Sequence, residues 1–126
     1  KVASGGELSR LMLCIKSLVA QSIDLPTMIF DEIDTGISGE AARQVGIILK
    51  VLAAKRQVIC ITHQPQIAGK AGAHFFVYKE IVKDAVKTNI RRLTTEERIT
   101  VIAKMLSGEK PTAAAMENAR EMVMNW

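Results

Sequence analysis

The chain has 126 residues, 48% hydrophobic and 24% charged, the profile of a packed globular domain rather than a disordered or fibrous segment, and its size suits one domain with one core. Lys+Arg number 17 and Asp+Glu 13, a net charge of +4 without the clustered basic runs that point to nucleic acid on their own, and aromatics at 4% disfavour a base-stacking surface. No apolar run approaches the roughly 18 residues needed to span a bilayer, and no signal-peptide pattern opens the chain, so no membrane partner is expected and the expected location is cytoplasmic.

The chain begins with Lys1 rather than Met and reads as a piece of a longer polypeptide. After Ser4-Gly5-Gly6-Glu7, apolar residues at Leu8, Leu11, Met12, Ile15, Leu18, Val19 and Ile23 predict a long amphipathic helix. Asp24-Leu25-Pro26 stops it. Thr27-Met28-Ile29-Phe30 is apolar without alternation and predicts a short strand buried on both faces. Gly36 and Gly39 mark a loop, Ser38 is positioned as a helix cap, and Ala41, Ala42, Val45, Ile48, Leu49 and Leu52 form the next helical stripe, ending near Lys55-Arg56. Val58-Ile59-Cys60-Ile61 is a second buried strand, and strand, helix, strand implies a parallel crossover.

Two further strands, Phe75-Phe76-Val77-Tyr78 and residues 85–92, are expected to join in a hairpin around Lys83-Asp84. Thr94-x-x-Glu97 is a capping box ahead of Ile99, Ile102, Ala103 and Leu106. Ser107-Gly108 ends that helix, and a last one follows Pro111 over residues 112–124. The layout is α/β with a C-terminal helical pair. Cys14 and Cys60, in Leu-Cys-Ile and Ile-Cys-Ile, read as reduced core thiols, the methionines as core fillers, His74 as a structural histidine and the cations at 79, 83, 87, 91 and 92 as a solvated strand face.

Both buried strands end in chemistry-bearing residues, Asp31-Glu32 after the first and His63 after the second, where open parallel sheets gather their ligands. A carboxylate pair in that position suits Mg²⁺ beside a nucleotide, with Asp31 near the metal and Glu32 orienting or deprotonating water; Asp-Glu is also a common beginning of a loop. Ser4-Gly5-Gly6 before a helix leaves free N–H groups that can approach phosphate oxygens, and equally serves as an ordinary helix start. The order of the three elements carries more than any one of them.

Ala3-Ser4-Gly5-Gly6-Glu7 resembles the ABC signature, Met28-Ile29-Phe30-Asp31-Glu32 a Walker B strand, Asp34-Thr35-Gly36 the D-loop, and Ile61-Thr62-His63 the switch-histidine strand. Within the ABC superfamily, residues 3–10, 30–39 and 62–68 are most similar to the bacterial RecN family of SMC-like DNA-repair ATPases, and the similarity runs on into the C-terminal helices. Ile33, where transporter ATPases usually have Pro, favours that branch; Gln64 stands where Leu is more usual.

The resemblance implies the C-terminal half of a P-loop, ABC-type head, its strands mostly parallel and flanked by helices, working as a head-to-tail dimer on ATP and Mg²⁺. Ser4, Gly5, Gly6 and Glu7 belong to the signature loop that closes over nucleotide held by the second head. Asp31 holds Mg²⁺ through water, Glu32 activates the hydrolytic water, Asp34 links the two sites and His63 senses the γ-phosphate. Arg10 is placed to brace the signature loop. Partners implied are the N-terminal half of the same head, the second head and DNA, with a nucleoid-associated location and a role in recombinational repair of double-strand breaks.

No Gly-x-x-x-x-Gly-Lys-Ser/Thr occurs in the 126 residues, and no long heptad stretch. Alone the chain is expected to bind nucleotide poorly, to be inactive, and to show an association-prone apolar sheet face where the other half belongs. Two alternatives differ in class: a dimerisation module that has lost hydrolysis, which the intact Glu32 argues against, and half of a transporter ATPase, which the missing Pro argues against.

Overall fold

The computed structural model describes residues 13–14, 16–17, 23–32, 34–37 and 39–124. Ser4, Gly5, Gly6, Glu7 and Arg10, most of the opening helix and the Ser38 cap lie outside the described residues. The elements run β1 (Thr27–Asp31), α1 (Gly39–Ala53), β2 (Gln57–Ile61), α2 (Pro65–Ala68), β3 (Phe75–Val82), β4 (Ala85–Arg92), α3 (Thr95–Ser107) and α4 (Ala113–Met124). Where the sequence suggests one core, the chain divides into two compact units, Lys1–Lys70 and Ala71–Trp126. The division falls within Gly69-Lys70-Ala71-Gly72-Ala73, which carries no large apolar side chain.

In the first unit β1 and β2 pair in parallel, Thr27 opposite Gln57 through Asp31 opposite Ile61. Met28 and Phe30 turn inward on β1 and meet Leu13, Ile37, Ala42, Val45, Leu49, Leu52 and Ile67, with Val58 and Cys60 of β2 packed alongside. α1 supplies that surface because its apolar residues recur at helical spacing. Gly46 lets α2 lie close against α1, since a Cβ there would stand 3.0 Å from Gln66 O. α2 was not apparent from the sequence, although Pro65 occupies its first turn, where a missing N–H costs nothing.

Leu13, Cys14, Lys16, Ser17 and Ile23 are helical, and Ser17 Oγ donates to Leu13 O over 2.8 Å. Cys14 is exposed, against its reading as a core thiol: Leu13 takes the inward position at 1% exposure, and the next residue lies about 100° further round the helix. Lys16 Nζ lies 5.3 Å from the centre of the Phe30 ring, a cation–π contact.

Among the described residues, core packing covers one face of β1 and β2. Ile29, Ile59 and Ile61 are 61%, 43% and 51% exposed on the other, so the unbroken apolar runs expected of doubly buried strands leave an open isoleucine surface.

In the second unit β3 and β4 form an antiparallel hairpin, Phe75 opposite Arg92 through Val82 opposite Ala85. Lys83 and Asp84 form its two-residue turn with φ of 50° and 63°, the left-handed pair that matches strand twist. Thr94 caps α3 by accepting from Glu97 N–H, while the Glu97 carboxylate accepts from Thr94 N–H, completing the expected box. The same carboxylate meets Arg91 at 2.6 Å. α3 and α4 pack through Ile99, Ile102, Ala103, Ala115, Ala119 and Val123. Thr112 Oγ1 accepts from Ala115 N–H at 3.0 Å and so starts α4. Met105, Met116 and Met122 are half-buried as core fillers, but Met124 in the last turn is 60% exposed. His74 is half-buried with Nδ1 unbonded, and burial followed by the Arg98 charge lowers its pKa.

The Arg91 hydrogen bond, then the Thr94 N–H, hold the Glu97 carboxyl down at about 2, against an ordinary value of 4.5. A depressed carboxylate contributes stability that is complete above its unfolded value and lost as pH falls through its folded value. The chain should therefore lose stability as pH drops from 4.5 towards about 2, and Glu97→Gln should flatten that part of the profile, as read by urea denaturation followed by circular dichroism. For the open face, Ile29→Lys should lower self-association in sedimentation velocity with little shift in the melting temperature, because the residue it replaces is 61% exposed.

Candidate functional site

The parallel register sets the site. With Asp31 opposite Ile61, and Glu32 N–H donating to Ile61 O at 2.9 Å, the residues that follow both strands leave the sheet at one edge. Asp31 and Glu32 come from β1, Thr62 and His63 from β2. The side chains of Asp31, Glu32 and His63 are exposed and make no hydrogen bond or ion pair with described residues. Asp31 stands on the open face, in the alternation that also exposes Ile29.

Glu32 is a non-glycine residue with φ of 52°, a left-handed conformation costing on the order of 1 kcal/mol. Its backbone is held on both sides: the N–H by Ile61 O, the C=O by Thr35 Oγ1 at 2.9 Å. That turn directs the chain out of β1 immediately after the carboxylate pair. Gly36, with φ of 81°, supplies a second left-handed step where a Cβ would add strain.

Beyond the exposed groups lies a network that is half-buried at Thr62 and Gln64 and wholly buried at Asp34. Asp34 is 0% exposed, and Thr62 Oγ1 donates to its Oδ2. Gln64 N–H donates to Thr62 Oγ1 at 3.0 Å, and Gln64 Nε2 donates to Ile37 O at 2.7 Å. Asp34 Oδ1 is buried without a partner. Burial and then the Asp34 charge push the neighbouring Cys60 thiol up to about 11. Asp34, to which the resemblance assigns the link between two sites, is held here by Thr62.

Among the described residues no group of three or more ligating side chains forms a closed metal site. The donors present, two adjacent carboxylates at an open edge, fit the other kind, in which Mg²⁺ takes one or two carboxylates and completes its shell with water and substrate phosphates.

No family model matches the chain. The DNA repair protein RecN of Rickettsia typhi is 47% identical over 123 residues, that of Vibrio cholerae 44% over 124, and that of Haemophilus influenzae 43% over 123. In each case the match covers 98% of this chain and 22% of the relative, so the chain spans about a fifth of the proteins it resembles. A solved structure from work on ATP-driven dimerization and DNA-stimulated activation of SMC ATPases superposes with a TM-score of 0.66 at 18% identity, covering 86% of this chain and 65% of that one. The chain is similar to a segment of RecN and shares the fold of that SMC ATPase structure.

In this RecN-like segment Asp31 and Glu32 at the end of β1, and His63 two residues past the end of β2, follow strands that end side by side. Ser4, Gly5, Gly6 and Glu7 lie outside the described residues. Sequence reasoning missed Thr62 as a half-buried bridge and took Gln64 for a small departure from Leu. The available signal was the polar run Thr62-His63-Gln64 ending an apolar strand and running into Pro65.

Because only the thiolate attacks alkylating reagents, Cys60 should react with iodoacetamide at pH 8 at least about tenfold more slowly than exposed Cys14. Removing the nearby charge in Asp34→Asn should speed Cys60 labelling. Mass spectrometry of each cysteine peptide over time reads both effects.

Proposed function

We propose that residues 1–126 are the C-terminal half of an ABC/SMC-like ATPase head, and that in the complete protein they take part in ATP hydrolysis serving repair of DNA double-strand breaks. The observation that carries this reading is the in-register pairing of β1 with β2, which brings Asp31-Glu32 and His63 to one open edge in a chain whose relatives are DNA repair proteins.

Phosphoryl transfer needs positioning and charge stabilisation more than covalent chemistry, and an exposed, pre-directed set of acid, base and imidazole supplies both. Asp31 would hold Mg²⁺ through water, as in sites that rely on few protein carboxylates. The ion supplies neutralisation of phosphate charge when bound. Glu32, directed outward by its pinned left-handed backbone, accepts the proton of the attacking water. His63 leaves β2 beside it and hydrogen-bonds the γ-phosphate.

Asp31, Glu32 and His63 serve nucleotide held by the N-terminal half of the same head. Ser4, Gly5, Gly6 and Glu7 serve nucleotide held by a second head in a head-to-tail dimer, with Asp34 in the connection between sites. The SMC structure with the similar fold comes from work on ATP-driven dimerization and DNA-stimulated activation, which supports a second head and DNA as partners. No helix among the described residues is long and apolar enough to cross a membrane.

The test is ATP turnover by the full-length protein carrying this segment, or by this chain mixed with the N-terminal half, against the Glu32→Gln variant. Loss of the base should lower kcat by about 10² to 10⁴ while ATP binding persists. An unchanged rate in the variant overturns the assignment of Glu32.

A further inference from the structure

The two loops at the candidate site are joined by a closed ring of hydrogen bonds. Thr62 Oγ1 donates to Asp34 Oδ2 and accepts from Gln64 N–H at 3.0 Å. Gln64 Nε2 donates to Ile37 O at 2.7 Å, and Ile37 N–H returns to Asp34 O at 3.1 Å. The Gln64 carbonyl accepts from Ile67 and Ala68 N–H at 3.1 and 3.0 Å, so the ring is also anchored to the start of α2. Each of the two residues flanking His63 is therefore tied to the 34–37 turn, while the His63 side chain itself is exposed and makes no described contact.

The same turn begins two residues after Glu32, whose carbonyl accepts from Thr35 Oγ1 and N–H. Displacing His63 along the chain direction pulls on Thr62 or Gln64, and each of these is bonded directly to the 34–37 turn, at Asp34 and at Ile37. Asp34 is wholly buried with one oxygen already unpartnered, so giving up the Thr62 hydroxyl would leave the carboxylate with no described hydrogen bond, a costly state in a water-poor site.

We propose that Thr62 and Gln64 are positioning residues that fasten the switch-histidine loop to the 32–37 loop, so that His63 and Glu32 are presented, and move, as one unit. This rests on the catalytic reading of Glu32 and His63 given above, but the coupling itself is a property of the chain and is measurable without nucleotide.

Hydrogen exchange on the 126-residue chain tests the coupling. In Gln64→Leu and in Thr62→Val, peptides covering 34–37 and 62–64 should both exchange faster, while those covering 113–124 keep their rates. Thr62→Ser, which retains the hydroxyl, should restore protection in both loops. Acceleration confined to the mutated loop, or no acceleration, overturns the proposal. A global rise would show unfolding; Gln64→Met, which keeps the bulk without the donor, then decides by the same criterion.

The functional arm uses the full-length protein. Gln64→Leu should lower kcat about tenfold, the worth of one hydrogen bond, with KM for ATP within about twofold. The Thr62→Val, Gln64→Leu pair should lose much less than the product of the single losses, because both act on one ring. Multiplicative losses, or a rise in KM at constant kcat, overturn the positioning role. If the wild type hydrolyses no ATP, or Glu32→Gln matches it, the ATPase reading fails, and the exchange result still accepts or rejects the coupling.

Discussion

The pairing of β1 with β2 is the constraint on which the rest depends. Parallel strands leave a sheet in the same direction, so whatever follows each of them emerges at a common edge. The register places Asp31 opposite Ile61, and one more backbone bond, Glu32 N–H to Ile61 O, carries the alignment past the end of β1. Because side chains alternate along a strand, a slip by one residue would move Phe30 off the core face and carry Asp31 into it. Phe30, at 0% exposure, therefore guards the position of a carboxylate one residue away. The packing of a hydrophobic side chain and the placement of a polar group are here one decision.

The polar groups at that edge sort themselves by depth. Asp31, Glu32 and His63 face solvent, available to a ligand; half-buried Thr62 bonds to Asp34, which is wholly buried. A buried carboxylate is tolerated only where its charge is answered, and the answer here is incomplete, with Oδ1 unpartnered and the effect reaching Cys60, whose thiol is pushed up. The cost is concentrated where two loops meet. Such concentrations persist when the surrounding structure over-determines them, as the Gln64 bonds do.

Most of the local structure could be read from the sequence because local physics decides it. The Thr94 and Glu97 capping box, the Lys83-Asp84 turn and the α1 stripe each depend on residues a few positions apart. The burial of β1 and β2 could not, since Ile29, Ile59 and Ile61 look like core residues in any window and only the tertiary arrangement reveals that nothing described covers them. The division at residue 70 was hidden for a related reason: a junction of Gly and Ala resembles a turn inside a domain as much as a border between two compact units. At the site, the strand-end acids and His63 were legible from their positions after apolar runs. Thr62 and Gln64 were not, because their importance lies in partners 28 and 27 residues away, at Asp34 and Ile37.

The depth ordering also explains why a glutamine can stand beside the histidine. A leucine at position 64 could fill the same half-buried space, but it has no donor for Ile37 O, and that carbonyl would lose its 2.7 Å bond. The backbone N–H of residue 64 would still reach Thr62, so half of the ring would survive with the turn held at Asp34 alone. Glutamine closes the second half. A turn held at both ends transmits displacement, whereas a turn held at one end can pivot about it, and this difference between fastening and pivoting follows from a single side-chain amide.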